Sequence, residues 1–202
     1  MKSALPGARS PLQSGDGSTT SQLSPVQVLS SGVQAVAAGK RHSLILKTDG
    51  SLYATGYNGY GQLGDGTTVN HSTPVLILAG GVQKVAAGVD YSLIVKTAGS
   101  LWAMGFNYYG QLGDGTTTQR NMPVMILSSD VQAVSAGSSH SLIEKKDGSL
   151  WAAGFNSYGQ LGDGTIVWQS TPELIALNVQ QVAAGDTHSL IVAGGDVRLA
   201  PL

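Results

Sequence analysis

Three histidines stand at one recurring register of the chain, His42, His140 and His188, each followed by Ser-Leu. Three imidazoles set around an axis could ligate a metal ion, and a serine beside a histidine raises the chemistry of an activated nucleophile. Asp65, Asp114 and Asp163, with Asp16 in a partial copy, lie in Gly-Asp-Gly-Thr or Gly-Asp-Gly-Ser loops that superficially resemble calcium loops. Each feature also has a plainer reading. A calcium loop needs several oxygen donors, whereas each loop here brings one carboxylate, and an Asp before Gly caps a turn through its own side chain. Tyr91 fills the histidine slot of the second unit. A residue that recurs in a repeat protein makes the same local bond in each unit. No G-x-S-x-G, H-E-x-x-H or P-loop is present, and the serines lie beside histidine in sequence without a third partner. The expectation is a protein that is not an enzyme, with no cofactor and no metal, in which these His and Asp positions are structural.

The elements that must position these residues repeat with them. Val33-Gln-Ala-Val-Ala-Ala-Gly39 returns at Val82, Val131 and Val179, spaced 49, 49 and 48 residues. Ser51-Leu-Tyr-Ala-Thr-Gly56 returns at Ser100 and Ser149, and Asn58-Gly-Tyr-Gly-Gln-Leu-Gly-Asp-Gly-Thr67 at Asn107 and Asn156. Each unit closes on a proline and a short apolar run: Pro74–Leu78, Pro123–Leu127 and Pro172–Ala176. Every unit thus holds four apolar segments of strand length divided by glycine-rich turns, and none has the length of a helix. Asp49-Gly50 and Asp147-Gly148, between the second and third segments, predict type I′ hairpin turns. Tyr53, Trp102 and Trp151 read as core, and Asn58, Asn107 and Asn156 as Asx turns or left-handed backbone.

Four short strands at this period are the signature of a propeller blade, which cannot bury both faces until a neighbour stacks on it. The block Gly-[Tyr/Phe]-Asn-x-Tyr-Gly-Gln-Leu-Gly-Asp-Gly-Thr, preceded by Val-x-x-Val-[Ala/Ser]-Ala-Gly-x-x-His-Ser-Leu, resembles the regulator of chromosome condensation repeat. The resemblance covers roughly residues 13 to 192. It implies an all-β fold, a β-propeller of four-stranded antiparallel blades. Members of that family usually close seven blades, whereas this chain holds about three complete blades plus a split fourth. The division is a poorly structured leader over 1–12, a partial repeat over 13–32, repeats over 33–81, 82–130 and 131–178, a partial repeat over 179–192, and a degenerate tail over 193–202 able to pair as a last strand. Pro25–Leu29 reads as a lone closing strand. If the tail pairs, the two ends supply three strands and one strand of the same blade. About 90° per blade in a four-bladed ring against about 51° in a seven-bladed one argues against closure within one chain. An open arc, as a piece of a larger propeller or half of an eight-bladed ring of two copies, is the expectation, with self-association through its open edges.

Eleven Lys plus Arg against twelve Asp plus Glu give a net charge of −1 without a basic cluster, so direct nucleic-acid binding is not indicated. The chain has no cysteine, hence no disulfide and no thiolate chemistry. No signal peptide or membrane span is visible in it, so it reads as soluble, with its compartment open. Where the repeats differ, specificity has room to reside. Those positions are Lys40 and Arg41, Asn70 and His71, Asp90, Gln119 and Arg120, and Trp168; unconstrained surface drift would leave the same variation. The resemblance implies protein-interaction roles: a partner-binding module, with guanine nucleotide exchange on a small GTPase, or inhibition of a secreted enzyme such as a β-lactamase, as alternatives.

Overall fold

A computed structural model describes residues 15–20 and 22–200; the leader expected over 1–12 lies outside them. The described residues contain fifteen strands and no helix, so none that is long and apolar enough to cross a membrane. The first sheet is β1 (Val33–Ala38), β2 (His42–Lys47), β3 (Leu52–Gly56) and β4 (His71–Leu78), in that spatial order and antiparallel throughout. The second repeats it with β5 (Val82–Ala87), β6 (Tyr91–Lys96), β7 (Leu101–Gly105) and β8 (Arg120–Leu127). The third does so with β9 (Val131–Ala136), β10 (His140–Lys145), β11 (Leu150–Gly154) and β12 (Gln169–Ala176). A fourth sheet has three strands, β13 (Val179–Ala184), β14 (Ser189–Ala193) and β15 (Asp196–Ala200).

The hairpin expectation is corrected in its turn type. Asp49 and Asp147 do not have positive φ; of the turn residues only Gly50 and Gly148 do, at 79° and 78°. The Gly50 amide bonds to the Lys47 carbonyl and the Lys47 amide to the Ser51 carbonyl, so Thr48-Asp49-Gly50 forms a three-residue loop whose left-handed glycine ends a tight turn. Asp49 instead accepts from the Ser51 amide and hydroxyl, at 2.9 and 2.6 Å.

The core lies between sheets. Leu44, Leu46, Leu52 and Ala54 of the first blade meet Val82, Ile94 and Met104 of the second. The same joint recurs between the second and third blades, with Leu93, Leu101 and Ala103 against Val131 and Ile143. It recurs again between the third and fourth, with Leu142, Leu150 and Ala152 against Val179 and Ile191. Trp102 and Trp151 flank these clusters, half-buried, beneath the Lys96 and Lys145 ammonium groups at 4.0 and 4.1 Å. The blades form an open arc. The tail does pair, as β15 on β14, but Pro25–Leu29 joins no sheet, so the expected fourth strand of the last blade is not supplied within the chain.

Candidate protein-interaction face

Antiparallel order places the ends of β1 and β3 and the starts of β2 and β4 at one edge of each blade. The β1–β2 links and the long glycine-rich β3–β4 links of all complete blades therefore gather on one face. Each long link is built on a buried asparagine. Asn58 Oδ1 accepts from the Leu63 amide at 3.0 Å while its Nδ2 donates to Asp65 Oδ1 at 3.0 Å and the Thr67 carbonyl at 3.2 Å. Asn107 and Asn156 make the same set with Asp114 and Asp163. None of the three has positive φ: each side chain staples a loop across five to nine residues, a longer span than the Asx turn expected.

The aspartates hold the other half of the staple. Asp65 accepts from the Thr67 amide and hydroxyl at 2.9 Å. Burial pulls its carboxyl upward, but the bonds from Thr67, His71 and Asn58 outweigh this and keep it below the usual range, and Asp114 and Asp163 behave likewise. Six residues on, a different donor in each blade closes on the second oxygen: His71 Nε2 at 2.7 Å, Arg120 Nε at 2.7 Å, and Gln169 Nε2 at 3.4 Å. His71 and Arg120 are thus engaged inside the loop. Asn70 is engaged there too, accepting from the Asn58 amide at 2.7 Å, whereas Gln119 is exposed. Arg41 and Asp90 pair across the first joint at 3.2 Å, joined by Gln62 Nε2 at 3.1 Å, and the Arg41 guanidinium lies 3.8 Å above the Tyr57 ring. Lys40 lies at a cavity of about 320 Å³ lined by the inner-strand ends of all four blades.

His42 and His140 sit under these loops, inside the joints, and His188 stands half-buried at the same register of the last described blade. His42 Nε2 is 2.9 Å from Ser92 Oγ of the next blade, and Ser92 donates its single hydroxyl proton to the Gln62 carbonyl at 2.8 Å. With that proton engaged, Ser92 must accept from His42 Nε2–H, leaving Nδ1 bare. Nδ1 has no partner. The Ser–His polarity is therefore the reverse of a base drawing a proton from a nucleophile. His140, Ser189 and Gln160 repeat the relay. Tyr91 does the same work with another group, donating to the His140 carbonyl beside Ser141. Burial lowers His42 and His140 to about 4, so both are neutral. Each ring lies flat against a backbone glycine: a Cβ on Gly39 would come within 2.3 Å of His42 Cε1. Among the described residues no three His, Cys, Asp or Glu groups are placed to hold a metal.

Across the top of the same face runs a continuous series of aromatic rings. Tyr57 meets Tyr60 at 6.0 Å, Tyr60 meets Phe106 at 4.9 Å, and Phe106 meets Tyr109 at 6.1 Å. Tyr109 then meets Phe155 and Trp168 at 4.9 and 4.8 Å, and Phe155 meets Tyr158 at 5.8 Å. Tyr108 stands beside this ribbon, 5.1 Å from Tyr109 and 6.3 Å from Trp168. Tyr108 and Tyr158 are 59% and 58% exposed, and Ile166 and Val167 are exposed next to them. Trp168, the one sequence candidate in the ribbon, is oriented by its Nε1–H on Ser157 Oγ at 2.9 Å. The other rings escaped sequence reasoning, although the signal was present: an aromatic after each strand-end glycine and another two residues beyond each loop asparagine.

The Regulator of chromosome condensation (RCC1) repeat matches residues 49–95, 98–143 and 147–192, together more than half of the chain, and a second description of that repeat matches 33–62, 82–111 and 131–160. Curated protein sequences give no match. Among solved structures, human WBSCR16 is similar at 27% identity and a TM-score of 0.74, over 83% of this chain and 46% of that one. Prp20p from Saccharomyces cerevisiae, described with its binding to Gsp1p and histones, is similar at 25% identity and a TM-score of 0.72, over 83% and 44%. Yeast RCC1 (Prp20) bound to Kap60 has the same fold at 23% identity and a TM-score of 0.74, over 86% and 45%. The chain spans a little under half the length of these structures. With its motifs, its blades and these matches in agreement, the chain belongs to the RCC1 repeat family.

Proposed function

We propose that this chain is a non-catalytic module that binds a partner protein through the aromatic ribbon of its loop face. The observation that carries this reading is the row of packed rings from Tyr57 to Trp168, whose outer members are open to solvent. Tyrosine and tryptophan already held by ring contacts offer large contact area at little loss of side-chain entropy on binding. They are also the residue types over-represented among interface hot spots. The glycine-rich loops beneath are stapled by Asn107 and Asn156, which supports a preformed surface.

The test compares the intact chain with a Tyr108→Ser/Trp168→Ser variant in capture of a binding protein. The variant should keep its melting midpoint and lose the partner by at least tenfold in affinity. Undiminished capture would remove the ribbon from the interface. A second reading, nucleotide exchange on a small GTPase, is favoured by the likeness to Prp20p, described as binding Gsp1p. A nucleotide-release assay tests it directly: acceleration by the chain would establish it, and an unchanged rate would leave the binding module. Inhibition of a secreted enzyme is tested in the same way against a β-lactamase.

A further inference from the structure

Asn58 differs from its two counterparts in the residue that follows it. Gly59 stands there, whereas Asn107 precedes Tyr108 and Asn156 precedes Ser157. Of the six asparagines in the chain it is the one followed by glycine. That pair carries a chemistry of its own. Asparagine is among the thermally labile side chains, and a following glycine, with no Cβ and wide backbone freedom, lets its amide nitrogen reach the side-chain carbonyl carbon. The Gly59 nitrogen bonds to Asn58 Cγ, the Cγ–Nδ2 bond breaks, and Nδ2 leaves as ammonia with the proton given up by Gly59. The five-membered succinimide so formed takes up one water and opens to aspartate or, through its other carbonyl, to isoaspartate.

The closed loop opposes the first step. Every polar atom of Asn58 is bonded. Its amide donates to Asn70 Oδ1 at 2.7 Å and its carbonyl accepts from the Gly61 amide at 2.8 Å. Oδ1 accepts from the Leu63 amide, and Nδ2 donates to Asp65 and to the Thr67 carbonyl. Attack makes Cγ tetrahedral and expels Nδ2, so it requires the bonds to Leu63, Asp65 and Thr67 to be given up together, in a side chain that is fully buried. Gly59 is not there for its backbone angle, since its φ is not positive. A Cβ at Gly59 would come within 2.1 Å of Tyr57 Oη. The Tyr57 ring, which carries the Arg41 guanidinium, thus keeps a glycine after Asn58 and with it the reactive pair.

We propose that Asn58-Gly59 is a deamidation site whose reaction is gated by opening of the first β3–β4 link, and that its product holds that link open. A carboxylate in place of the Asn58 amide loses the donors to Asp65 and Thr67. It sets an acceptor oxygen where Nδ2 stands, 3.0 Å from Asp65 Oδ1 and 3.2 Å from the Thr67 carbonyl. Isoaspartate adds a methylene to the backbone at the same point. Tyr57 and Tyr60 flank the pair, and Tyr60 meets Phe106 of the next blade. A long enough opening therefore releases the first-blade end of the aromatic ribbon for good, and the links built on Asn107 and Asn156 lack that route.

The intact chain is incubated at mildly alkaline pH, in buffer and in urea that unfolds it, and its peptides are weighed over time. In urea the Asn58 peptide should gain about 1 Da well ahead of the Asn107 and Asn156 peptides. In buffer that gain should be slower by roughly a hundredfold and should keep pace with hydrogen exchange at the Leu63 amide, which reports the same opening. Asp65→Ala, or the milder Thr67→Val where that chain folds poorly, should speed the reaction in buffer and leave its rate in urea unchanged. Asn58→Asp, which carries the product directly, should exchange rapidly over residues 58–67 while the strands stay protected. Equal rates in buffer and urea, or an Asn58 peptide no faster than that of Asn107 in urea, would overturn the gated site. Slow exchange over 58–67 in Asn58→Asp would overturn its effect on the link.

Discussion

At the scale of the residue, the positions that invited catalytic or metal chemistry are engaged in structural bonds: His42 and His140 between blades, and Asp65, Asp114 and Asp163 within their own loops. Tyr91 shows what the repeat demands: not an imidazole, but a ring that fills the space over Gly88 and a polar atom that reaches the next blade. Tyr91→Phe should therefore destabilise the chain by about 1 kcal/mol, because the buried His140 carbonyl keeps the Gly137 amide but loses the second of its two donors; urea midpoints of the two proteins measure it. Glu144 is the opposite case. It is buried where the first two blades have Leu46 and Val95, with one bond, from Gln132 Nε2 at 3.1 Å. Burial raises its carboxyl above the ordinary 4.5, partly offset by Lys84. The unfolded chain therefore ionises first, and this group costs stability as pH rises past that value. Glu144→Leu should raise the melting midpoint, by more at pH 7 than at pH 4, an increase of about 1–2 kcal/mol at neutral pH.

At the scale of the element, the long β3–β4 link shows how a loop with so many glycines keeps one shape. Its backbone is tied to a single buried asparagine, so Asn107→Ala strands the Leu112 amide and strips the loop of its bonds to the Thr116 and Thr118 carbonyls, while Asp114 keeps Thr116 and Arg120. The expected loss is about 2 kcal/mol, and faster amide hydrogen exchange confined to residues 107–118 should accompany it. Because Tyr108 and Tyr109 ride on that link, the variant should also weaken partner binding without removing any exposed ring. The donors His71, Arg120 and Gln169 differ in type yet close on the same aspartate oxygen. Variation among repeats at that position is thus compatible with one structural task.

At the scale of the whole molecule, stability is a sum over joints, since each blade contacts its neighbours alone. His42 and His140 sit in the first and third of these joints and set a common pH limit. Neutral in the fold down to about 4 but ordinary, near 6.5, when unfolded, each is protonated first in the unfolded chain. Stability is fully present above about 6.5 and is lost as pH falls toward 4. The loss is roughly 3 kcal/mol for each histidine. Urea titrations between those pH values should show the midpoint falling, and His42→Gln, which keeps a donor, should flatten that dependence by about half.

The repeat, the four-strand unit and the open arc were legible in the sequence because they depend on local patterns: apolar runs of strand length, glycines at turns, and a period that recurs near 49 residues. The turn after β2 was misassigned because Asp-Gly alone does not say how many residues close the hairpin; the Lys47 and Ser51 bonds do. Tertiary structure alone decided what the recurring side chains do. Whether His42 meets a metal or a serine depends on Ser92, fifty residues away in the next blade, and whether Arg120 is a free cation or a loop staple depends on which way one side chain turns. The aromatic ribbon is likewise a property of stacking: Tyr60 and Phe106, and Tyr109 and Phe155, one blade apart in the chain, become neighbours only when the blades pack, and sequence periodicity carries no distance between one blade and the next.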